Sequence, residues 1–233
     1  MTDRGRVFRR IQRKGQTGSG ALSERGERRF VKRKDIKETT CFSRGDGPGK
    51  PELNLVRMDG RILLVKDVRR KPFFFRWTLG LWLIHKEWRA CQRLSGMRGV
   101  PTGVERIDRF AFARDFVEGK AIERQEGLSP LFFSELDRML KEIHSRGVVH
   151  LDLRHKGNIL VSKNGEPCLI DFDSSLTFGK GGLLRRLLFP LLVRVDRGGF
   201  LKLKERVAPS LLTPEEIVSL RKLNQFRRLW IFN

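Results

Sequence analysis

The sequence predicts an α+β fold with a β-rich front half and a mostly helical back half, and three observations carry that reading. Short runs of branched and aromatic residues, separated by turn residues, dominate from about Asp35 to Gly119. Helical spacing of apolar residues returns in long segments further on. The chain of 233 residues, 39% hydrophobic and 33% charged, is also long enough to bury a sizeable core. Wholesale disorder, collagen and long solenoid arrays are excluded by the same composition.

Taken in order, residues 1–34 hold twelve Lys or Arg against three Asp or Glu, with scattered Gly and Ser. So little apolar surface predicts a flexible basic arm, which either captures a phosphate-rich surface or keeps the chain soluble. From Asp35, IKETTCFSRGDGPGKPELNLVRM and RILLVKDV read as strands, and Asp59-Gly60 between the last two predicts a hairpin turn. TLGLWLIHKEWRACQRLSG then places Leu79, Trp82, Leu83, Trp88, Cys91 and Leu94 at helical spacing, with Gly96 as the stop. VERID and FAFARDFVEG read as two more strands leading to a hinge near Asp115 to Gly119.

The back half opens with SPLFFSELDRMLKEIHSRG, where Ser129 is placed to cap and Pro130 to take the first helical position. Phe133, Leu136, Leu140 and Ile143 form its apolar face, and Gly147 ends it. Short strands follow at GVVH, NILVS and PCLIDF, with Asn164-Gly165 turning between the last two. LLRRLLFPLLVRVDRGGFLKLKER carries seven basic and two acidic residues among its leucines. It reads either as a surface for anionic lipid or as a helix pair broken at Pro190. The segment FFFRWTLGLWLI leaves the same choice open. A final helix is predicted from Ser210, with Thr213-Pro214-Glu215-Glu216 at its start. The expected organisation is a basic arm over 1–34, a first part over 35–115 and a second over 116–233.

Forty-nine Lys and Arg against 27 Asp and Glu give a net charge of +22, which names a polyanionic neighbour: nucleic acid, phosphorylated sugar or acidic lipid. Three cysteines, Cys41, Cys91 and Cys168, fit neither a disulfide scaffold nor a zinc module, and a reducing cytoplasm is the expected location. The basic amino terminus lacks the apolar stretch of a secretory signal, and no run is long and apolar enough to span a bilayer.

The densest chemistry lies in VVHLDLRHKGNILVSKNGEPCLIDFDSS, where His150, Asp152, Arg154, Asn158, Asp171 and Asp173 are flanked by β-rich runs. Magnesium takes oxygen ligands, commonly one or two carboxylates with substrate phosphates, so Asp171 and Asn158 at neighbouring strand ends suit it. Asp152 is then left to face a substrate hydroxyl. His150 reads as a support for the loop, and Asp173 as a further ligand or the cap of the next turn. Cys91 and Cys168, in apolar contexts, read as packing residues.

HLDLRHKGNIL followed by LIDFD resembles the catalytic loop and metal motif of the protein-kinase-like superfamily, and within it the small bacterial lipopolysaccharide kinases that act on Kdo and core heptose. The resemblance covers roughly Lys37 to Phe178 and implies a two-lobed kinase-like fold, a small β-rich lobe with one main helix ahead of a mostly helical lobe. It implies that Asp152 is the catalytic-loop aspartate, that Asn158 and Asp171 bind Mg²⁺, and that Arg154 approaches the γ-phosphate. ILLVKDV resembles the strand bearing the ATP-binding lysine, which points to Lys66, with Glu87 of the next helix as its partner. ARDFVEG resembles the connection between lobes, which makes the backbone at Asp115 and Val117 adenine contacts. Gly45 to Gly49 stands where a phosphate-covering loop belongs.

Two departures shape the expectation. One residue more than usual separates Asp152 from Asn158, so a bulge is expected over His155 to Gly157. No APE-like motif follows Asp171, which favours a small-molecule or glycolipid acceptor over a protein. The resemblance thus implies an ATP- and Mg²⁺-dependent phosphotransferase acting on a lipopolysaccharide-type sugar or glycolipid, cytoplasmic and peripheral to an anionic membrane. An atypical Ser/Thr protein kinase and a pseudokinase or basic nucleic-acid-binding module are the alternatives.

Overall fold

The computed structural model describes residues 31–37, 40–43, 50–122, 127–179 and 181–229. Residues 1–30 of the arm expected over 1–34, and the glycine stretch 45–49, lie outside them. The chain divides into two compact units, one comprising the described residues up to Trp88 together with Gly103–Phe116, the other Arg89–Thr102 and the chain from Val117 onward.

Unit 1 is built on an antiparallel sheet of β1 (Thr40–Ser43), β2 (Glu52–Met58), β3 (Arg61–Asp67), β4 (Glu105–Asp108) and β5 (Ala111–Asp115), in the order β1-β2-β3-β5-β4. The Asp59-Gly60 hairpin forms as expected, with both residues at positive φ, 49° and 73°, as the two central positions of a type I′ turn require. β3 lies between β2 and β5, and its residues from Leu63 to Asp67 are all buried. Because side chains alternate across a strand, Leu63 and Val65 pack with Val56, Met58, Ala111 and Ala113 on one face, while Phe112 joins Val68 and Ile84 on the other.

The end of the expected flexible arm and the start of the expected strand region form a helix instead: α1 (Arg33–Lys37) follows the buried Val31. Asp35 accepts the Lys32 N–H and closes the turn, and the Arg33 guanidinium bridges Asp67 and Asp108. That long-range anchor, not local propensity, fixes the segment. The predicted helix around Trp82 begins earlier, at Phe73, as a single turn α2 (Phe73–Phe75). It passes through a π-helical turn, Arg76–Gly80, into α3 (Leu81–Arg93). Gly80 permits the wider turn, because a Cβ there would stand 3.0 Å from the Phe75 carbonyl oxygen. The inserted turn rotates the helix, so Leu79 and Trp82 are exposed and the buried row is Ile84, Glu87, Cys91 and Leu94.

Unit 2 contains α4 (Pro130–Ser145), capped by the Ser129 hydroxyl accepting the Phe132 N–H at 3.2 Å. Its expected face is buried and is joined by Phe132 and Met139. α4 packs on β7 (Val148–Val149) and on β9 (Pro167–Leu169), which pairs with β8 (Ile159–Val161); β6 (Lys120–Ala121) completes that sheet, and β10 (Leu176–Thr177) pairs with β7. α5 (Leu183–Val207) runs unbroken through Pro190, contrary to a helix pair split there. Pro190 is exposed, and the residue four before it, whose carbonyl the missing N–H leaves without its helical partner, is exposed too. α6 (Pro214–Leu229) opens on a reciprocal cap: Thr213 Oγ1 accepts the Glu216 N–H, and Glu216 accepts the Thr213 N–H. Among the described residues no helix is long and apolar enough to cross a membrane.

Candidate functional site

In unit 1, Lys66 sits one residue before the end of β3, on the sheet face that meets α3. Its Nζ lies 2.7 Å from Glu87 Oε1, with side chains 4% and 2% exposed. Taking such a pair out of water costs several kcal/mol per ion by order of magnitude, and mutual attraction only roughly returns it. A buried pair therefore adds little to stability, and its value lies in holding an ammonium oriented on the sheet face. Asp115, at the end of β5, has its carboxylate engaged by Arg61, whose Nε donates at 3.1 Å. The Phe116 N–H after it donates to Ile62 O. Val117 is half-buried at the start of the unit 2 segment.

In unit 2 the loop from His150 to Asn158 joins β7 to β8, and its geometry is set by buried polar groups. Asn158 Nδ2 donates to the Asp152 carboxylate at 2.9 Å and to its carbonyl at 3.1 Å. The Ile170 N–H donates to Asn158 O, which ties the loop to the residue before Asp171. The extra loop residue is absorbed by two successive turns, His155 N–H to Asp152 O and Asn158 N–H to His155 O. The second is a 3₁₀ turn, Lys156–Asn158, so the expected bulge is a tight turn that leaves Asp152 and Asn158 in contact. Arg154 and His155 are exposed on this loop.

His150 is fully buried. Its Nδ1 accepts the Asp152 N–H at 3.3 Å, and its Nε2 lies 3.2 Å from Ile170 O. One nitrogen accepting and the other donating is possible only for the neutral ring. Burial pushes the imidazole below its ordinary value, against the opposing pull of Asp196, the Ile170 carbonyl, Asp171 and Asp152. Cys91 is buried and Cys168 partly so, with burial raising the Cys168 thiol.

Asp196, on α5, is the residue that the motif reading misses. It is 1% exposed, and its carboxylate accepts the N–H groups of His150 and Leu151, each at 2.7 Å, with His144 Nε2 at 2.9 Å. It thereby holds Leu151 at φ 66°, a left-handed conformation that costs about 1–2 kcal/mol for a non-glycine residue. The one trace in the sequence is an acid set in the apolar and basic run VRVDRGGF.

Asp171 is likewise left-handed, at φ 67°, and leads into the 3₁₀ turn Phe172–Ser174. A carboxylate oxygen of Asp171 and one of Asp173 lie within 4.8 Å of each other. The Asp171 and Asp173 carboxylates, and the amide oxygen of Asn158, whose Nδ2 is spent on Asp152, are oxygen donors of the kind magnesium takes. Lys66 and Glu87 are thus brought together in unit 1 and Asp152 and Asn158 in unit 2, and the Asp115 carboxylate is held by Arg61, which leaves its backbone out of that contact.

No protein-family model matches the sequence, and no curated protein sequence matches it. Solved structures do. A Rio2 kinase from Chaetomium thermophilum superposes with a TM-score of 0.58 at 16% identity, over 81% of this chain and 64% of that one. A Rio2 kinase from the same organism, solved as an ADP/Mg²⁺-phosphoaspartate complex, gives 0.55 at 15% identity over 81% and 62%. The chain therefore has a protein-kinase-like fold, and it spans slightly less than two thirds of the length of these kinases.

Proposed function

We propose that the chain is a phosphotransferase that moves the γ-phosphoryl group of Mg-ATP to a hydroxyl. The observation that carries this reading is the buried Lys66–Glu87 pair, an arrangement of little worth to stability, set on a kinase-like sheet. Lys66 meets the α and β phosphates with Glu87 keeping its ammonium aimed, and the backbone at Asp115 and Val117 meets the base. Asn158 and Asp171 hold the magnesium, which neutralises charge on the phosphates when bound. Asp152, its carboxylate fixed by Asn158, takes the proton of the attacking hydroxyl as the new O–P bond forms and the bond to the β-phosphate oxygen breaks. Arg154 approaches the γ-phosphate. Positioning and charge supply the catalysis.

The likeness to Rio2 kinases favours a Ser/Thr hydroxyl of a protein as acceptor over the lipopolysaccharide-type sugar expected from sequence, to which the comparisons lend nothing. One observation keeps a glycolipid as the second reading. Leu183, Leu187, Leu188, Leu191 and Val195 are all exposed on α5, interspersed with arginines, as a helix lying on an anionic cytoplasmic membrane face would have them. Incubating the full chain with γ-labelled ATP, Mg²⁺ and either a protein mixture or a lipid extract separates the two by where the label goes. Asp152→Asn is expected to slow transfer by about 10²–10⁴-fold. Turnover unchanged in both Asp152→Asn and Asp171→Ala would sink the assignment.

A further inference from the structure

The sheet face that carries Lys66 holds a second buried cation. Antiparallel pairing sets Lys66 against Phe112 and Leu64 against Arg114, so by alternation these four side chains share one face. Arg114 is 3% exposed, and its Nε is buried without a hydrogen-bond partner. Among the described residues no hydrogen bond, ion pair or ring contact reaches its side chain. Of the carboxylates around the sheet, Glu87 is engaged by Lys66, Asp115 by Arg61, Asp67 and Asp108 by Arg33 and Glu52 by Arg70, while Glu105, paired with Ala113, lies on the opposite face and accepts the Val31 N–H. A guanidinium cannot shed its charge, and keeping one buried and unpaired is strongly unfavourable unless a ligand supplies acceptors.

Its position along the strand says which part of a ligand that is. The inference rests on the reading that Lys66 meets the phosphates and the backbone at Asp115 and Val117 meets the base. Arg114 immediately precedes those residues and lies one same-face step from the Lys66–Phe112 pair toward them. Its side chain therefore addresses the edge of the base. A guanidinium only donates. Adenine presents on that edge one acceptor, N7, beside a donor, the N6 amino group, which opposes a second N–H. Guanine presents O6 and N7, two acceptors at the spacing of a bidentate guanidinium contact. We infer that Arg114 is a specificity-determining residue, which makes the chain prefer a triphosphate of a carbonyl-bearing purine, guanine or hypoxanthine, over ATP.

Calorimetric titration of Mg-GTP, Mg-ITP and Mg-ATP onto the full chain tests this. GTP and ITP are expected to bind about tenfold to a hundredfold more tightly than ATP, the range of a bidentate base contact. In Arg114→Met, GTP and ITP lose that factor and ATP does not. ATP binding as tightly as GTP in the unsubstituted chain overturns the inference and leaves the phosphotransferase reading standing, whereas no binding of any triphosphate overturns both. ITP binding as weakly as ATP would shift recognition to the 2-amino group and overturn the role of Arg114. An equal loss of all three in Arg114→Met would place the guanidinium on the phosphates and do the same. The comparison of nucleotides on the unsubstituted chain decides the matter even where Arg114→Met fails to fold.

Discussion

His150 is held neutral by its hydrogen bonds, and that makes it an acid-sensitive part of the loop. Burial depresses its folded pKa below the ordinary 6.5, so as pH falls the unfolded ring takes up a proton first. Its contribution to stability is complete above about pH 6.5 and is lost as pH drops through that value toward the folded pKa, by at most about 1.4 kcal/mol per pH unit. Urea midpoints should fall between pH 7 and pH 5 and fall less in His150→Asn; parallel curves would place the sensitivity elsewhere. Asp196 is the matching test of the loop's anchor. Asp196→Asn keeps one acceptor oxygen and turns an N–H₂ toward a backbone N–H, which should cost about 2–3 kcal/mol in urea unfolding. His150, Asp152 and Asn158 were legible because they sit together in the chain. Asp196 was not, because its partners are more than forty residues away and no local spacing records them.

At the scale of elements, what is local in sequence was readable. The Asp59-Gly60 hairpin needs only two residues that tolerate positive φ, and the start of α6 needs only Thr213 and Glu216 three apart. Thr213→Ala should therefore destabilise by about 1 kcal/mol, measured as a shift in unfolding midpoint. The misreadings share one cause, which is tertiary context overriding pattern. α1 is fixed by Arg33 reaching Asp67 and Asp108, and the π turn before α3 rotates Leu79 and Trp82 outward. Pro190, on an exposed side, leaves α5 whole. That intact helix aligns Leu183, Leu187, Leu191 and Val195 four residues apart along one stripe. If the stripe meets lipid, Leu187→Glu with Leu191→Glu should abolish sedimentation with anionic vesicles and leave folding intact, because both residues are exposed. Retained sedimentation would assign lipid attraction to charge alone.

For the whole molecule, a net charge of +22 and the buried Lys66–Glu87 pair respond to salt to very different degrees, and this separates an enzyme from a merely basic binding module. Exposed arginines act through water, where the screening length shrinks to about 10 Å at 0.1 M salt, so their attraction to any polyanion is diffuse and readily weakened. Binding of RNA, DNA or anionic vesicles should fall by orders of magnitude between about 0.05 and 0.2 M NaCl, since each phosphate neutralised releases condensed counterions. The Lys66 side chain is 4% exposed, so salt screens it less than a surface arginine, and its ammonium is paired with Glu87. Nucleotide binding there should change only a fewfold over the same range, because one buried ammonium and the magnesium-bridged phosphates are screened far less than a surface of arginines. Measuring both affinities along one salt series decides between the classes. A triphosphate affinity that collapses in step with RNA binding would mean that the nucleotide is held by the surface field, as a basic module holds any polyanion. A triphosphate affinity that persists while polyanion binding vanishes places the nucleotide at the buried lysine.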